Sequence, residues 1–290
     1  INTLREVSIE DLLGRDPVKL DRQAISAELS GRCVLISGGG GSIGTELCRQ
    51  VAILKPEKLV LLDNSEFNLF RVERELRQKF PGTEIHAILG DVADEAAVEH
   101  LFRTLRPDIV YHAAAYKHVP MLESQLREAI RNNVLGTRIM ALAADRHGCD
   151  AFVLISTDKA VNPANIMGAS KRIAEIFCQN LNQHSTTRFI TVRFGNVLGS
   201  SGSVLQIFRS RLAAGLPLEI RDPRTLGIGE DRGAGRQDRG IADEGPAEND
   251  VPRGQEVAIS LGLDGDEVLA RVLDEREELT EIGVGGAEGR

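Results

Sequence analysis

The sequence predicts an α/β chain built on a doubly wound parallel sheet, and three features carry that expectation. Short, nearly continuous apolar runs recur through most of the chain, amphipathic stretches separate most of them, and a glycine-dense turn directly follows the first run. The runs are Cys33–Ser37, Lys58–Leu62, Glu84–Leu89, Asp108–His112, Phe152–Ser156 and Phe189–Arg193. A strand that is apolar on both sides needs cover on both faces, which intervening helices supply in a parallel sheet. After the glycines, Leu47, Val51 and Leu54 recur at helical spacing and predict one apolar helix face. A second helix is predicted from about Ala169, burying Ile173, Ile176, Phe177 and Leu181.

Residues 1–30 read as an arm that packs on this domain. Within the arm, Val7-Ser8-Ile9-Glu10-Asp11-Leu12-Leu13-Gly14 has the pattern of a short capped helix, with Ser8 as N-cap, Asp11 in the first turn and Gly14 as the stop. Residues 31–223 hold the sheet, the cofactor turn and the catalytic candidates. Beyond them the composition changes, because no Phe, Tyr or Trp follows Phe208 and residues 227–245 are dominated by Gly, Arg, Asp and Glu. Such a stretch buries too little apolar surface to offset the entropy of ordering it. Residues 224–290 are therefore expected to be an atypical, largely disordered segment, with a helix only around Asp266–Leu279.

A chain of 290 residues can bury a large core without disulfides. Its four cysteines lack the close pairing of a zinc site, so the expectation is a reduced cytoplasmic protein with no metal. The formal charge of −8 and the lack of any Lys/Arg run interleaved with aromatics exclude a nucleic-acid surface. No apolar run reaches the roughly 18 residues needed to cross a bilayer, and no signal peptide precedes the first acidic residues. The chain begins at Ile1 rather than Met, which leaves open a preceding membrane anchor that would hold it at the cytoplasmic face of the inner membrane.

The turn Ser37-Gly38-Gly39-Gly40-Gly41-Ser42-Ile43-Gly44 places Gly38, Gly41 and Gly44 at the three glycine positions of a Rossmann dinucleotide site. Glycine is required there because the backbone must turn tightly, approach a pyrophosphate and let the helix pack close to the strand. The helix that opens at Ser42 and Ile43 then points its N–H groups at the phosphates. Asp63 ends the second run about twenty residues on, where a carboxylate accepts from the adenosine ribose hydroxyls. The same charge repels a 2′-phosphate, so NAD is expected over NADP. Asp91 and Val92 follow the third run as candidates for the adenine side. Ala113 and Ala114 follow the fourth, where small side chains let a dinucleotide lie close.

The densest chemistry is Ser156-Thr157-Asp158-Lys159-Ala160-Val161-Asn162-Pro163, followed by Met167-Gly168-Ala169-Ser170-Lys171. It gathers a hydroxyl, a carboxylate and two amines just after the fifth run, at the carboxyl edge where open α/β sheets place ligands. Met167 and Lys171 are four apart and share a helix face. Lys117, His118 and Asn196 lie after the fourth and sixth runs as substrate-binding candidates, and Asn133 lies on the helix after the fourth.

In these segments the chain resembles the extended short-chain dehydrogenase/reductases, and among them the polysaccharide-biosynthesis 4,6-dehydratases that act on UDP-N-acetylglucosamine. Besides the glycine turn and residues 156–171, the likeness is carried by Arg5–Arg15, by His112-Ala113-Ala114-Ala115-Tyr116-Lys117-His118-Val119-Pro120, by Asn132-Asn133-Val134-Leu135-Gly136-Thr137, and by Arg193-Phe194-Gly195-Asn196-Val197-Leu198-Gly199. It runs from about residue 1 to 223 and ends past Asp222-Pro223.

Short-chain dehydrogenases normally carry Tyr-x-x-x-Lys where this chain has Met167-x-x-x-Lys171, and a thioether cannot take a proton. The substitution is similar to the large, membrane-anchored branch of the dehydratases, whose products retain configuration at C5. The resemblance implies that NAD takes hydride from C4, water is eliminated across C5 and C6, and the hydride returns to C6. It further implies that Thr157 meets the sugar 4-hydroxyl, Asp158 is general acid on the C6 hydroxyl, Lys159 is base at C5 and Lys171 holds the nicotinamide ribose. Lys159 must act as a neutral amine, which desolvation or the neighbouring Lys171 would favour. Asn133 would position the nicotinamide side through local hydrogen bonds, Asn196 would contact the sugar, and Lys117 and His118 would lie near its diphosphate. The competing readings are a non-catalytic NAD-binding relic and a nucleotide-sugar 4-epimerase. A homo-oligomer with an even number of copies is common in such folds.

Overall fold

The computed structural model describes residues 22–195 and 256–259. The first described element is helix α1 (Arg22–Leu29), whose last residue is fully buried. Strand β1 (Cys33–Ser37) follows, then helix α2 (Ser42–Ile53), β2 (Lys58–Asp63), α3 (Glu66–Lys79), β3 (Glu84–Leu89) and α4 (Glu95–Leu105). Strand β4 (Ile109–His112) leads into two single-turn helices, α5 (Val119–Leu122) and α6 (Leu126–Ala129). A π-helical segment (Ile130–Gly136) continues directly into α7 (Thr137–Arg146). Strand β5 (Ala151–Thr157), a 3₁₀ turn (Asp158–Ala160), helix α8 (Ile166–Asn182) and β6 (Arg188–Phe194) complete the pattern expected of the apolar runs.

All strand pairings are parallel, in the order β3-β2-β1-β4-β5-β6. Because successive strand residues point to opposite faces, the sheet feeds two cores. Val34 and Ile36 of β1 pack with Leu47 and Val51 of α2 and Leu69, Val72 and Leu76 of α3. Cys33 and Leu35 pack on the other face with Phe102 of α4, Met140 of α7 and Ala174 and Cys178 of α8. Each fully buried aliphatic side chain in these layers contributes roughly 1.5–3 kcal/mol, which is how short, uninterrupted Val/Leu/Ile strands specify a sheet covered twice.

A seventh strand, β7 (Glu256–Ile259), pairs in parallel with β6, Thr191 opposite Glu256 and Phe194 opposite Ile259. These four positions are the part of residues 224–290 that the structure describes. An open edge on β6 offers unpaired N–H and C=O groups that a short segment can satisfy, and composition does not register that. The helices expected at Ser8–Gly14 and Asp266–Leu279 lie outside the described residues.

The predicted inner face of α8 needs correction. Ile173 and Ile176 are 50% and 44% exposed, and Phe177 and Leu181 are only partly buried. The buried residues are instead Met167, Ser170, Lys171, Ala174, Glu175 and Cys178. Two stripes on this helix are compatible with helical spacing, and the one carrying Glu175 turns inward because β5 and β6 hold partners for that carboxylate, Ser156 and Arg193.

Candidate active site

The strand order reverses between β1 and β4, which opens a crevice at their carboxyl ends. A cleft of about 180 Å³ lies there, with Gly38 and Gly41 on one side, Asp63 and Asn68 at one end, and Ala113, Ala114, Tyr116 and Asn132 on the other side. Gly38 has φ +69°, and a Cβ on it would stand 2.7 Å from the Ala114 nitrogen. A Cβ on Gly44 would stand 2.0 Å from the Gly38 carbonyl oxygen. The turn therefore needs glycine at both ends to seat α2 against β1. Gly41 is the N-cap of α2 and has no side chain to cap the helix, so the helix end faces the cleft as an anion site.

Asp63 meets the turn from below. Its Oδ2 accepts from the Gly40 N–H at 2.8 Å and its Oδ1 from the Ser65 N–H at 2.8 Å, and it lines the cleft. It thus acts as a strand-end cap whose carboxylate also faces the cleft.

Beneath the crevice runs a buried chain of hydrogen bonds that sequence reasoning missed. The Thr137 hydroxyl donates to the Asn133 carbonyl at 2.7 Å, so its oxygen accepts from His112 Nε2 at 3.0 Å. His112 Nδ1 is left as acceptor for the Ser37 hydroxyl at 2.7 Å. Burial, and secondarily the Lys171 ammonium, push the His112 imidazole down to about 3, which keeps it neutral in this role. The chain ties the strand end before Gly38 to the π-helical segment.

Lys171 is 3% exposed, and its Nζ has no hydrogen-bond partner. Burial pushes its ammonium down to about 8, against the opposing pull of Glu175. A buried donor without a partner is rare, and the Tyr111 hydroxyl is a second one among the described residues. The glycine cradle and the small Ala113–Ala114 wall of the cleft fit a dinucleotide.

A family model described as "Polysaccharide biosynthesis protein" matches residues 34–226. The chain belongs to that family. It is 47% identical over 225 residues to the capsular polysaccharide biosynthesis protein CapD of Staphylococcus aureus, covering 77% of this chain and 38% of that one. It is 48% identical over 222 residues to the probable polysaccharide biosynthesis protein EpsC of Bacillus subtilis, covering 76% and 37%. It is 34% identical over 200 residues to an inverting UDP-N-acetylglucosamine 4,6-dehydratase of Campylobacter jejuni, covering 67% and 58%. The chain thus spans under two fifths of the length of CapD and EpsC. Among solved structures, Pen from Bacillus thuringiensis matches with 32% identity and a TM-score of 0.62, over 67% of this chain and 61% of that one. The UDP-glucose 4-epimerase of Thermus thermophilus in complex with NAD matches with 26% identity and a TM-score of 0.55, over 63% of each.

In this member of the family, the catalytic candidates sit at the end of β5 and on the turn after it. The Thr157 hydroxyl donates to Asp158 Oδ1 at 2.9 Å and accepts from the Lys159 N–H at 3.3 Å. Lys159 Nζ donates to the same Oδ1 at 3.1 Å. Asp158 is exposed and Lys159 half-buried, so the pair that adjacent residues form by themselves is present and open to a substrate.

Several expected site residues stand elsewhere. Met167 is not open to a ligand: it is 5% exposed and packs with Leu122 and Ala129, because an unbranched thioether in place of a phenol fills the core between α5, α6 and α8. Asn133, expected among the substrate contacts, is fully buried. Its amide donates to the Tyr116 carbonyl and the Ser170 hydroxyl, both at 3.0 Å, and its oxygen accepts from the Tyr116 N–H at 2.8 Å. It therefore holds the loop after β4 onto α8. The neighbouring Asn132, which was not singled out, lines the cleft instead. A π-helical segment turns two consecutive residues inward, and the sequence carries no signature of it.

Asp91 accepts from the Ala93 N–H at 2.9 Å and from Arg131 at 2.7 Å, and its neighbours Gly90 and Val92 line the cleft. Ser42 and Ile43 open α2 at the turn, with Ile43 packed on the adjacent core. Lys117 and His118 are exposed just past Tyr116. Asn196 lies outside the described residues.

Sequence reasoning also missed Glu175. It is fully buried and takes both Nε and Nη2 of Arg193, at 2.9 and 2.7 Å, together with Arg172 at 3.0 Å and the Ser156 hydroxyl. Burial alone would raise its carboxyl, but the hydrogen bonds from Arg193, Ser156 and Arg172 hold it below the usual range. A signal was available, since residues 167, 171 and 175 share one helix face.

Proposed function

We propose that this chain is the catalytic portion of an NAD-dependent nucleotide-sugar 4,6-dehydratase whose substrate is UDP-N-acetylglucosamine, acting in surface polysaccharide biosynthesis. The observation that carries the reading is the Thr157–Lys159 turn. It offers a carboxylate and an amine side by side, on the strand next to the crevice, in a site whose helix has Met167 where a tyrosine would otherwise move the proton. NAD, when bound, supplies a hydride acceptor at C4 and a hydride donor at C6. Gly38, Gly41 and the α2 N-terminus would hold its pyrophosphate, Asp63 its adenosine ribose, and Lys171 its nicotinamide ribose.

The chain's own residues handle the protons. The sugar 4-hydroxyl gives its proton to Thr157, which is already donating to Asp158, so Asp158 becomes a carboxylic acid as the C4 ketone forms. The ketone acidifies C5–H, and neutral Lys159 removes that proton. Asp158 then protonates the C6 hydroxyl, which leaves as water. Lys159 returns its proton to C5 when C6 is reduced, so the protons balance: the lost water takes the one that Thr157 passed to Asp158, Thr157 keeps the one from the 4-hydroxyl, and the cofactor would end in its starting state. For Lys159 to act as base, the substrate must separate it from Asp158.

Incubation of the chain with UDP-N-acetylglucosamine and NAD tests the reading by mass spectrometry and NMR of the product. A 4-keto-6-deoxy sugar is expected. A C4 epimer would instead assign an epimerase, and NAD binding without turnover a non-catalytic cofactor module. In Lys159→Ala, kcat is expected to fall by about 10²–10⁴ with NAD affinity spared. Loss of both together would make Lys159 a structural residue.

A further inference from the structure

Helix α8 touches the turn that carries Thr157, Asp158 and Lys159 at two points. On the strand side, Ser156, one residue before Thr157, gives its hydroxyl to Glu175 Oε1. Glu175 is kept in place by Arg193, the cross-strand partner of Ser156 on β6, and by Arg172 on its own helix. On the other side, the first turn of α8 lies against the Lys159 backbone. A Cβ on Gly168 would stand 2.3 Å from the Lys159 carbonyl oxygen and 3.2 Å from its carbon. Gly168 is held there by the N-cap Asn165, whose Oδ1 accepts its N–H at 2.8 Å.

Lys171 sits on the same helix between Gly168 and Glu175. A fully buried carboxylate with a bidentate arginine is weak evidence for stability, since desolvating both charges offsets much of their attraction. Its geometric effect is stronger, because it fixes two strands and one helix to a single side chain.

We propose that α8 is a two-point clamp, in which Glu175 grips Ser156 and Gly168 seats the Lys159 carbonyl, setting the position of the Thr157–Lys159 turn relative to Lys171. Ser156, Gly168 and Glu175 are on this view positioning residues that never touch substrate. The inference rests on the catalytic reading of Thr157–Lys159 given above. It deepens that reading by naming what holds the exposed acid/base turn in register with the cofactor ribose, where an error of about 1 Å can cost as much as 100-fold in rate.

The test compares Ser156→Ala, Ser156→Thr and Gly168→Ala in the full chain, reading kcat and KM with UDP-N-acetylglucosamine, NAD affinity, the thermal midpoint and amide hydrogen exchange over residues 157–160. Ser156→Ala is expected to lower kcat by roughly 10- to 100-fold with KM and NAD affinity unchanged, and to speed exchange across the turn. Ser156→Thr, which restores a hydroxyl, is expected to recover most of both. Gly168→Ala should show the same split, and if it does not fold, the Ser156 pair decides alone. A Ser156→Ala chain with a lowered midpoint but wild-type kcat and wild-type exchange over 157–160 overturns the clamp. Should the wild-type chain not turn over this sugar, the dehydratase reading fails by itself. Exchange then still decides the clamp, faster in Ser156→Ala supporting it and unchanged overturning it.

Discussion

Lys171 concentrates the tension between stability and function in one side chain. Its amine is buried near Glu175, Cys178 and His112 with no hydrogen-bond partner, which costs the free chain stability. Lys171→Met should therefore stabilise the free chain by about 1–3 kcal/mol near neutral pH while weakening NAD binding. The pH dependence has a definite sign. Below about 8 both folded and unfolded chains hold this proton and the burial cost is fully present. From about 8 up to the ordinary 10.5 the unfolded chain holds more protons, so this group makes stability rise with pH. Denaturation curves at several pH values should show a rise across that window that is absent from the variant. Equal slopes in the two chains would mean that Lys171 reaches water. His112 shows the opposite use of burial: sealed between Ser37 and Thr137, it stays neutral and serves as a fixed relay of hydrogen bonds rather than a proton carrier.

At the scale of elements, the site depends on how closely three pieces of backbone approach one another. The glycine turn presses against the strand-end alanines, α2 presses against the turn, and α8 presses against the Lys159 carbonyl. Gly44→Ala puts a methyl carbon 2.0 Å from the Gly38 oxygen, and backbone on both sides leaves nothing flexible to yield. The expected result is destabilisation of about 1–3 kcal/mol or more, with loss of NAD binding in whatever folds. Chemical denaturation and cofactor titration check this, and a stable variant with wild-type affinity would mean that α2 can shift along β1 without disturbing the cradle. The π-helical segment works by the same economy of space. It turns Asn132 to the cleft and Asn133 into the core, and Gly136 passes so near Val92 that a Cβ would stand 2.7 Å from its Cγ2.

For the whole molecule, the sheet is a frame that brings distant segments to one edge. Residues 37–44, 113–116, 132–137 and 156–171 converge because parallel strands deliver all their following loops to the same side. A cofactor that binds only this assembled edge must stabilise the fold. NAD at 100 times its dissociation constant should add about 2.7 kcal/mol, and NADP at the same concentration less, on the proposed placement of the adenosine ribose at Asp63, which lines the cleft. Thermal midpoints measured with each cofactor check the order, and a larger shift with NADP would reverse the assignment.

Much of this was legible in the residues themselves. Strand positions, the glycine cradle, Asp63 and the Thr157–Lys159 group come from short-range rules: apolar runs demand burial, tight turns demand glycine, and parallel strands gather their loops at one edge. Other features needed the tertiary structure, because they depend on which partner lies across a gap of many residues. Spacing allowed two inner faces for α8, and only the arginine waiting on β6 selected the one with Lys171 and Glu175. Likewise, nothing local distinguishes Asn132 from Asn133, or shows Asp91 turned to Arg131, since those choices were made by long-range hydrogen bonds whose energies no sequence period encodes.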